Sequence, residues 1–143
     1  MKRLIILPIL FFLITFSAMA QGKIFPANQS NQLFGSVTEK YQISLVDLKT
    51  YITKTEKYFY INIVQKSIFI LGDARKPILG NPSFIKESTP FHKFSKTILQ
   101  EFINLSEGLG ISYITLEVRG DDLILSNGIN SLNYAQLCPP FCS

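Results

Sequence analysis

At 143 residues the chain is long enough for one domain and too short for two well-filled cores. With 47% hydrophobic and 17% charged residues, 8 Gly and 7 Pro, it is too apolar for a disordered chain and has no collagen-like bias. The formal net charge is +4, and Lys2 and Arg3 carry half of it; the scattered remainder cannot neutralise a run of phosphates, which argues against nucleic acid as a partner.

In chain order, Lys2 and Arg3 open a basic region, Leu4 to Phe16 form an apolar run, and Ala18-Met19-Ala20 supplies an A-x-A cleavage site. This pattern predicts a signal peptide over 1–20, export to the periplasm or the medium, and no membrane span once the leader is removed. Residues 21–35 are polar, with Pro26 and a run of Asn, Gln and Ser, and predict a mobile leader. A single α+β domain is expected over 36–137, followed by a Cys-bearing tail at 138–143; no internal repeat is visible.

Residues 37–55 carry two patterns. Ser36 and Glu39 have capping-box spacing and Val37, Tyr41, Leu45, Leu48 and Ile52 follow at helical steps, whereas the β-branched content and the alternation Tyr41, Ile43, Leu45 suit a strand. Helix is the favoured reading and strand the alternative. Tyr58 to Val64 is dense in aromatic and β-branched residues and pairs naturally with Ser67 to Leu71 as a hairpin over about 58–71. A long loop follows at 74–87, punctuated by Pro77, Gly80 and Pro82. Thr89-Pro90 then has the form of a helix start, and Phe91, Phe94, Ile98, Phe102 and Leu105 form an apolar stripe, predicting a central helix over about 90–107 with Gly108 as its cap. A second hairpin spans about 111–126, turning at Arg119-Gly120-Asp121-Asp122, and a short strand falls between Ile129 and Leu137. The expected fold class is α+β: a mostly antiparallel sheet of two hairpins with the helix packed on one face.

The chain is sparing with chemistry. Cys138 and Cys142 are its only cysteines, and export makes a local disulfide the simplest assignment; their spacing is not that of a C-x-x-C redox motif, and no metal site is expected. His92 is the single histidine. No P-loop, G-x-S-x-G elbow, H-E-x-x-H or G-x-G-x-x-G occurs, so no cofactor is implied. Asp121-Asp122 reads as turn chemistry, and a hydrolase would need Glu117, Asp73 or His92 to converge on it. Arg119-Gly120-Asp121 matches an adhesive tripeptide, but a tight turn accounts for it equally well. If alternation buries Phe59, Ile61 and Ile63 under the helix, Tyr58, Tyr60 and Tyr113 share the opposite face of the sheet, where tyrosines serve recognition well.

These observations favour a small exported binding or inhibitory domain without catalytic activity, recognising a protein or envelope ligand through the Tyr58, Tyr60, Tyr113 face or the 74–87 loop. The alternatives are a small secreted hydrolase using carboxylates or His92, and a structural envelope component.

Overall fold

A computed structural model describes residues 22–133 and 136–138. The fold is α+β, with two antiparallel five-stranded sheets. Strands β1 (Lys23–Pro26), β2 (Glu39–Ser44), β7 (Tyr113–Arg119), β8 (Asp122–Ser126) and β9 (Asn130–Asn133) form the first sheet, in the order β1-β9-β8-β7-β2. The second, ordered β10-β6-β3-β4-β5, contains β3 (Tyr58–Val64), β4 (Ser67–Leu71), β5 (Pro77–Leu79), β6 (Phe91–Ser95) and β10 (Gln136–Cys138). Three α-helices accompany them: α1 (Ser30–Phe34), α2 (Leu45–Ile52) and α3 (Lys96–Gly108).

Both predicted hairpins form, but each becomes the centre of its own sheet. The segment 37–55 is strand and then helix, so each of its two patterns was right for half of it. The switch comes at Ser44, whose Oγ accepts from the Asp47 N–H at 3.0 Å and caps α2. The central helix also starts later than the Thr89-Pro90 pair suggests. Residues 91–95 are strand β6, and Ser95 caps α3 by accepting from the Ile98 N–H at 3.3 Å. Phe91 and Phe94, which share a helical stripe on paper, face opposite sides of β6 and enter different apolar clusters. The helix includes Gly108, and the left-handed conformation that ends the turn belongs to Gly110, at φ 71°.

The described part of the 21–35 segment, expected to be a leader to the domain, contains a strand and a helix. Its β1 pairs with β9, and α1 lies over the outer face of the first sheet, where Ser30 Oγ and Ser131 Oγ stand 3.1 Å apart and Phe34 packs on Phe25.

The matching switches at Ser44 and Ser95 belong to a larger correspondence that the residues alone did not disclose. A strand, a helix and three strands follow one another twice, as β2-α2-β3-β4-β5 and as β6-α3-β7-β8-β9. Ile43, Ser44, Leu48, Tyr51 and Ile52 recur as Phe94, Ser95, Leu99, Phe102 and Ile103. The registers coincide as well: Ser44 pairs with Tyr113 and Ser95 with Tyr58, while Ile61 pairs with Ile70 and Leu116 with Leu125. Even the first helical N–H bonds match, Leu45 to the Ser112 carbonyl and Lys96 to the Lys57 carbonyl, both at 2.8 Å. Each unit places its first strand in the other unit's sheet, so neither sheet is complete without both.

This exchange produces one principal core. Phe59, Ile61, Ile70 and Phe94 from one sheet meet Ile43, Ile114, Leu116, Leu125 and Leu132 from the other, with Leu48 and Ile52 of α2 and Leu99, Phe102 and Ile103 of α3 completing it. Burying such side chains contributes about 1.5–3 kcal/mol each relative to leaving them exposed.

The two central hairpins turn differently. In the first, Gln65 and Lys66 both hold positive φ, 49° and 62°, whereas Gly120 takes φ 60° in the second. A left-handed conformation costs a residue with a side chain about 1–2 kcal/mol. Lys66→Gly is therefore expected to stabilise the protein by about 1 kcal/mol, read as a higher denaturant midpoint at unchanged slope. A fall in midpoint would show that the Lys66 side chain holds the turn.

Candidate functional site

The outer face of the second sheet is where the chain departs most from its plain repeated frame. Tyr60, Phe69, Leu71, Phe91 and Cys138 form a second apolar cluster there, with Tyr58, Val64 and Ile85 packed against it. The connection from β5 to β6 crosses this face. Gly80 makes the crossing possible: at φ 100°, a Cβ on it would lie 2.4 Å from the Phe69 ring. Asn81 then starts a short 3-10 turn by accepting from the Ser83 N–H at 3.0 Å.

The start of the connection is held by two polar centres. The Asp73 carboxylate accepts from the backbone N–H groups of Glu56 at 2.6 Å, Lys57 at 3.0 Å and Tyr58 at 2.9 Å, while its own N–H donates to Thr55 Oγ1. Burial opposes ionisation, but these bonds outweigh it and hold the carboxyl below its ordinary pKa. Arg75 donates to the Cys138 carbonyl at 2.8 Å and the Thr89 carbonyl at 2.9 Å, and its guanidinium lies 5.1 Å from the Phe91 ring centroid. Ala74 and Arg75 both hold left-handed backbone angles, φ 54° and 56°. Such strain persists where surrounding contacts over-determine it, as the Asp73 and Arg75 bonds do here.

Between this turn and the crossing segment lies a cavity of about 440 Å³. Leu71, Pro77, Pro82 and Ile85 give it apolar walls, and Arg75, Lys86 and Glu87 bring charge. Phe84, 50% exposed, stands next to it in the chain.

The three tyrosines singled out from the sequence do not share one face, because the hairpins lie in different sheets. Tyr58 and Tyr60 are on β3 and Tyr113 is on β7 of the other sheet, at the position that matches Tyr58 in the repeat. Tyr113 is 58% exposed, whereas Tyr60 is buried and Tyr58 partly so. Lys93 Nζ lies 4.0 Å from the Tyr58 ring centroid and 6.0 Å from that of Tyr60. Burial lowers the Lys93 pKa and raises that of Tyr60, the latter helped by Asp73 and Tyr58 and opposed by Arg75. Lys93 gives no signal in the sequence, since a lysine within a predicted helix reads as solvated.

Asp73 and Glu117 do not line the cavity that His92 shares with Asp121 and Asp122. Asp73 is committed to the 56–58 backbone, and Glu117 is paired with Arg119 at 2.6 Å. Arg119 is buried and also donates to Asn31 and to the Gly35 carbonyl, so the adhesive tripeptide does not display its cation. His92 is buried on β6 beside a cavity of about 310 Å³ that Asp121 and Asp122 also line. Among the described residues, no three His, Cys, Asp or Glu side chains are grouped to hold a metal ion. Cys138 is buried on β10, and Cys142 lies outside the described residues, so their pairing stays a prediction from the sequence. No helix of the described residues is long and apolar enough to cross a membrane.

Comparison with protein-family models, with curated proteins and with solved structures finds no match to this chain.

Proposed function

We propose that the protein is an exported binding or inhibitory domain, without catalytic activity of its own, that engages a protein or envelope ligand through the loop-bearing face of its second sheet. The observation that carries this reading is the 440 Å³ cavity under the β5–β6 connection, with apolar walls, charged groups at Arg75, Lys86 and Glu87, and the half-exposed Phe84 beside it. A few charged groups around apolar walls suit recognition, and a long connection held on a rigid sheet is a common place for it. The signal-peptide pattern of residues 1–20 supports export, and export in turn supports a Cys138–Cys142 bridge.

Export has a direct test. The mature protein is expected to begin at Gln21 and to gain the mass of two thiol hydrogens on reduction; an intact leader would end the reading. For the binding surface, affinity capture from the cells and medium that contain the protein should retain a partner that Phe84→Asp loses. A Tyr113→Ala control on the other sheet should retain it. Equal retention by Phe84→Asp would remove this face.

A further inference from the structure

We propose that the cavity between the β7–β8 turn and the start of β6 binds a small organic cation bearing N–H donors, a free primary ammonium or guanidinium compound, through His92, Asp121 and Asp122. This site is separate from the loop-bearing face and does not depend on it. The cavity measures about 310 Å³, and Pro90, Val118 and Leu123 give it apolar walls. That volume is at the lower end of what small-molecule sites enclose.

Three observations select the ligand. His92 is only 6% exposed, and no described residue hydrogen-bonds its imidazole. A buried polar side chain without a partner is exceptional in a folded protein and calls for one. The other polar groups lining the cavity are either committed or acidic. Asn62 donates to the Pro90 carbonyl at 2.7 Å and accepts from the Ile63 N–H at 2.8 Å, while Asp121 is exposed and the half-buried Asp122 accepts only a long bond from Asn133 Nδ2, at 3.5 Å. The acceptors with capacity to spare on these carboxylates therefore carry negative charge, which repels anions and calls for a ligand that supplies N–H donors.

Burial lowers the His92 pKa to about 4, against an opposing effect of Asp122. The ring is thus neutral at pH 7 and keeps one nitrogen as an acceptor. A metal ion is a poor fit, since no cluster of three ligating side chains is present among the described residues. The repeat adds a contrast: the positions matching His92, Asp121 and Asp122 hold Tyr41, Lys66 and Ser67, so this constellation belongs to one unit only.

The test is an NMR titration of the purified protein at pH 7 with n-butylammonium and methylguanidinium. Tetramethylammonium, a cation without N–H donors, and acetate serve as comparisons. Saturable shifts of the His92 ring and of the Gly120 to Asp122 amides with the first two probes, and not with the others, are expected. Asp121→Asn with Asp122→Asn should raise the dissociation constant at least tenfold while leaving the remaining amide spectrum in place. No saturable shift, an equal response to tetramethylammonium, or unchanged affinity in the asparagine variant would each overturn the proposal. Should the double variant fail to fold, Asp121→Asn alone, at an exposed turn position, is expected to weaken binding several-fold, and unchanged affinity would again overturn it.

Discussion

Arg119→Ala is expected to cost about 3–5 kcal/mol of folding stability and to release α1 from the first sheet. The guanidinium is the hub of a buried polar cluster. Its Nε and Nη2 donate to Glu117 Oε2 at 2.9 and 2.6 Å, and its Nη1 donates to Asn31 Oδ1 at 2.5 Å and to the Gly35 carbonyl. The side chains of the ion pair are only 6% and 12% exposed. Removing the cation leaves a carboxylate, an amide and a backbone carbonyl without their donor in a site that admits little water, and the uncompensated carboxylate dominates the loss. Losing 3–5 kcal/mol matters against the 5–15 kcal/mol by which domains of this kind are stable. Equilibrium denaturation would measure the loss, and limited proteolysis should show new cleavage between residues 27 and 35. Because the pair is buried, added salt should reproduce little of the effect. Arg119→Met combined with Glu117→Gln removes both charges and should recover a large part of the stability. A single-variant loss below about 1 kcal/mol would reduce the cluster to an ordinary surface pair.

How much of this was legible in the sequence depends on the range over which each signal acts. The hairpins at 58–71 and 111–126 follow from local alternation and two-residue turns, and the structure has both. The caps at Ser44 and Ser95 are also local, yet a stronger-looking start signal stands upstream of each, Ser36 with Glu39 in one case and Thr89-Pro90 in the other. In both places aromatic residues before the serine, Tyr41 in one and Phe91 and Phe94 in the other, fall on a helical stripe although they belong to strands β2 and β6. The distribution of the hairpins between two sheets was not legible at all. It depends on β2 joining β7 and β6 joining β3, pairings between residues far apart in the chain. The repeat escaped for a related reason: its two copies share polarity and register more than identity, with Ile43 answered by Phe94 and Tyr51 by Phe102.

The same limit applies to the candidate sites. That the 74–87 stretch was too long for a plain connection could be read directly, and it does line a cavity. Tyr113 stands apart from Tyr58 and Tyr60 because β7 and β3 lie in different sheets, a division that local alternation does not encode. The Asp73 bonds to residues 56–58 and the Arg119 cluster carry no motif, since their partners come from separate segments of chain. His92 stands out in the sequence as its single histidine; its burial follows from the alternation of β6, which sends Phe94 and His92 to the inner side.

That burial makes stability depend on pH in a window where few other groups titrate. Burial drives the folded-state pKa of His92 down to about 4, opposed by Asp122, whereas an unfolded chain has the ordinary value near 6.5. Between these values the unfolded chain binds a proton that the folded protein does not, so stability falls as the pH is lowered from 6.5 to 4. Each pH unit of separation is worth 1.36 kcal/mol, so the full loss is about 3 kcal/mol, complete once the pH is below both values. The effect of Asp73 runs in a different window. Its folded pKa is below 3.8, so its contribution is present above that value and is lost on further acidification. The two can therefore be separated by working between pH 7 and pH 4.5. Within the repeat the position of His92 is filled by Tyr41 in the other unit, which makes an aromatic replacement the least disruptive choice. His92→Phe is expected to remove most of the decline in unfolding free energy measured by denaturant titration across that range, while the wild-type protein loses more than half of the 3 kcal/mol. Parallel pH profiles for the two proteins would mean that His92 binds its proton as readily folded as unfolded, and the buried, neutral imidazole would have to be abandoned.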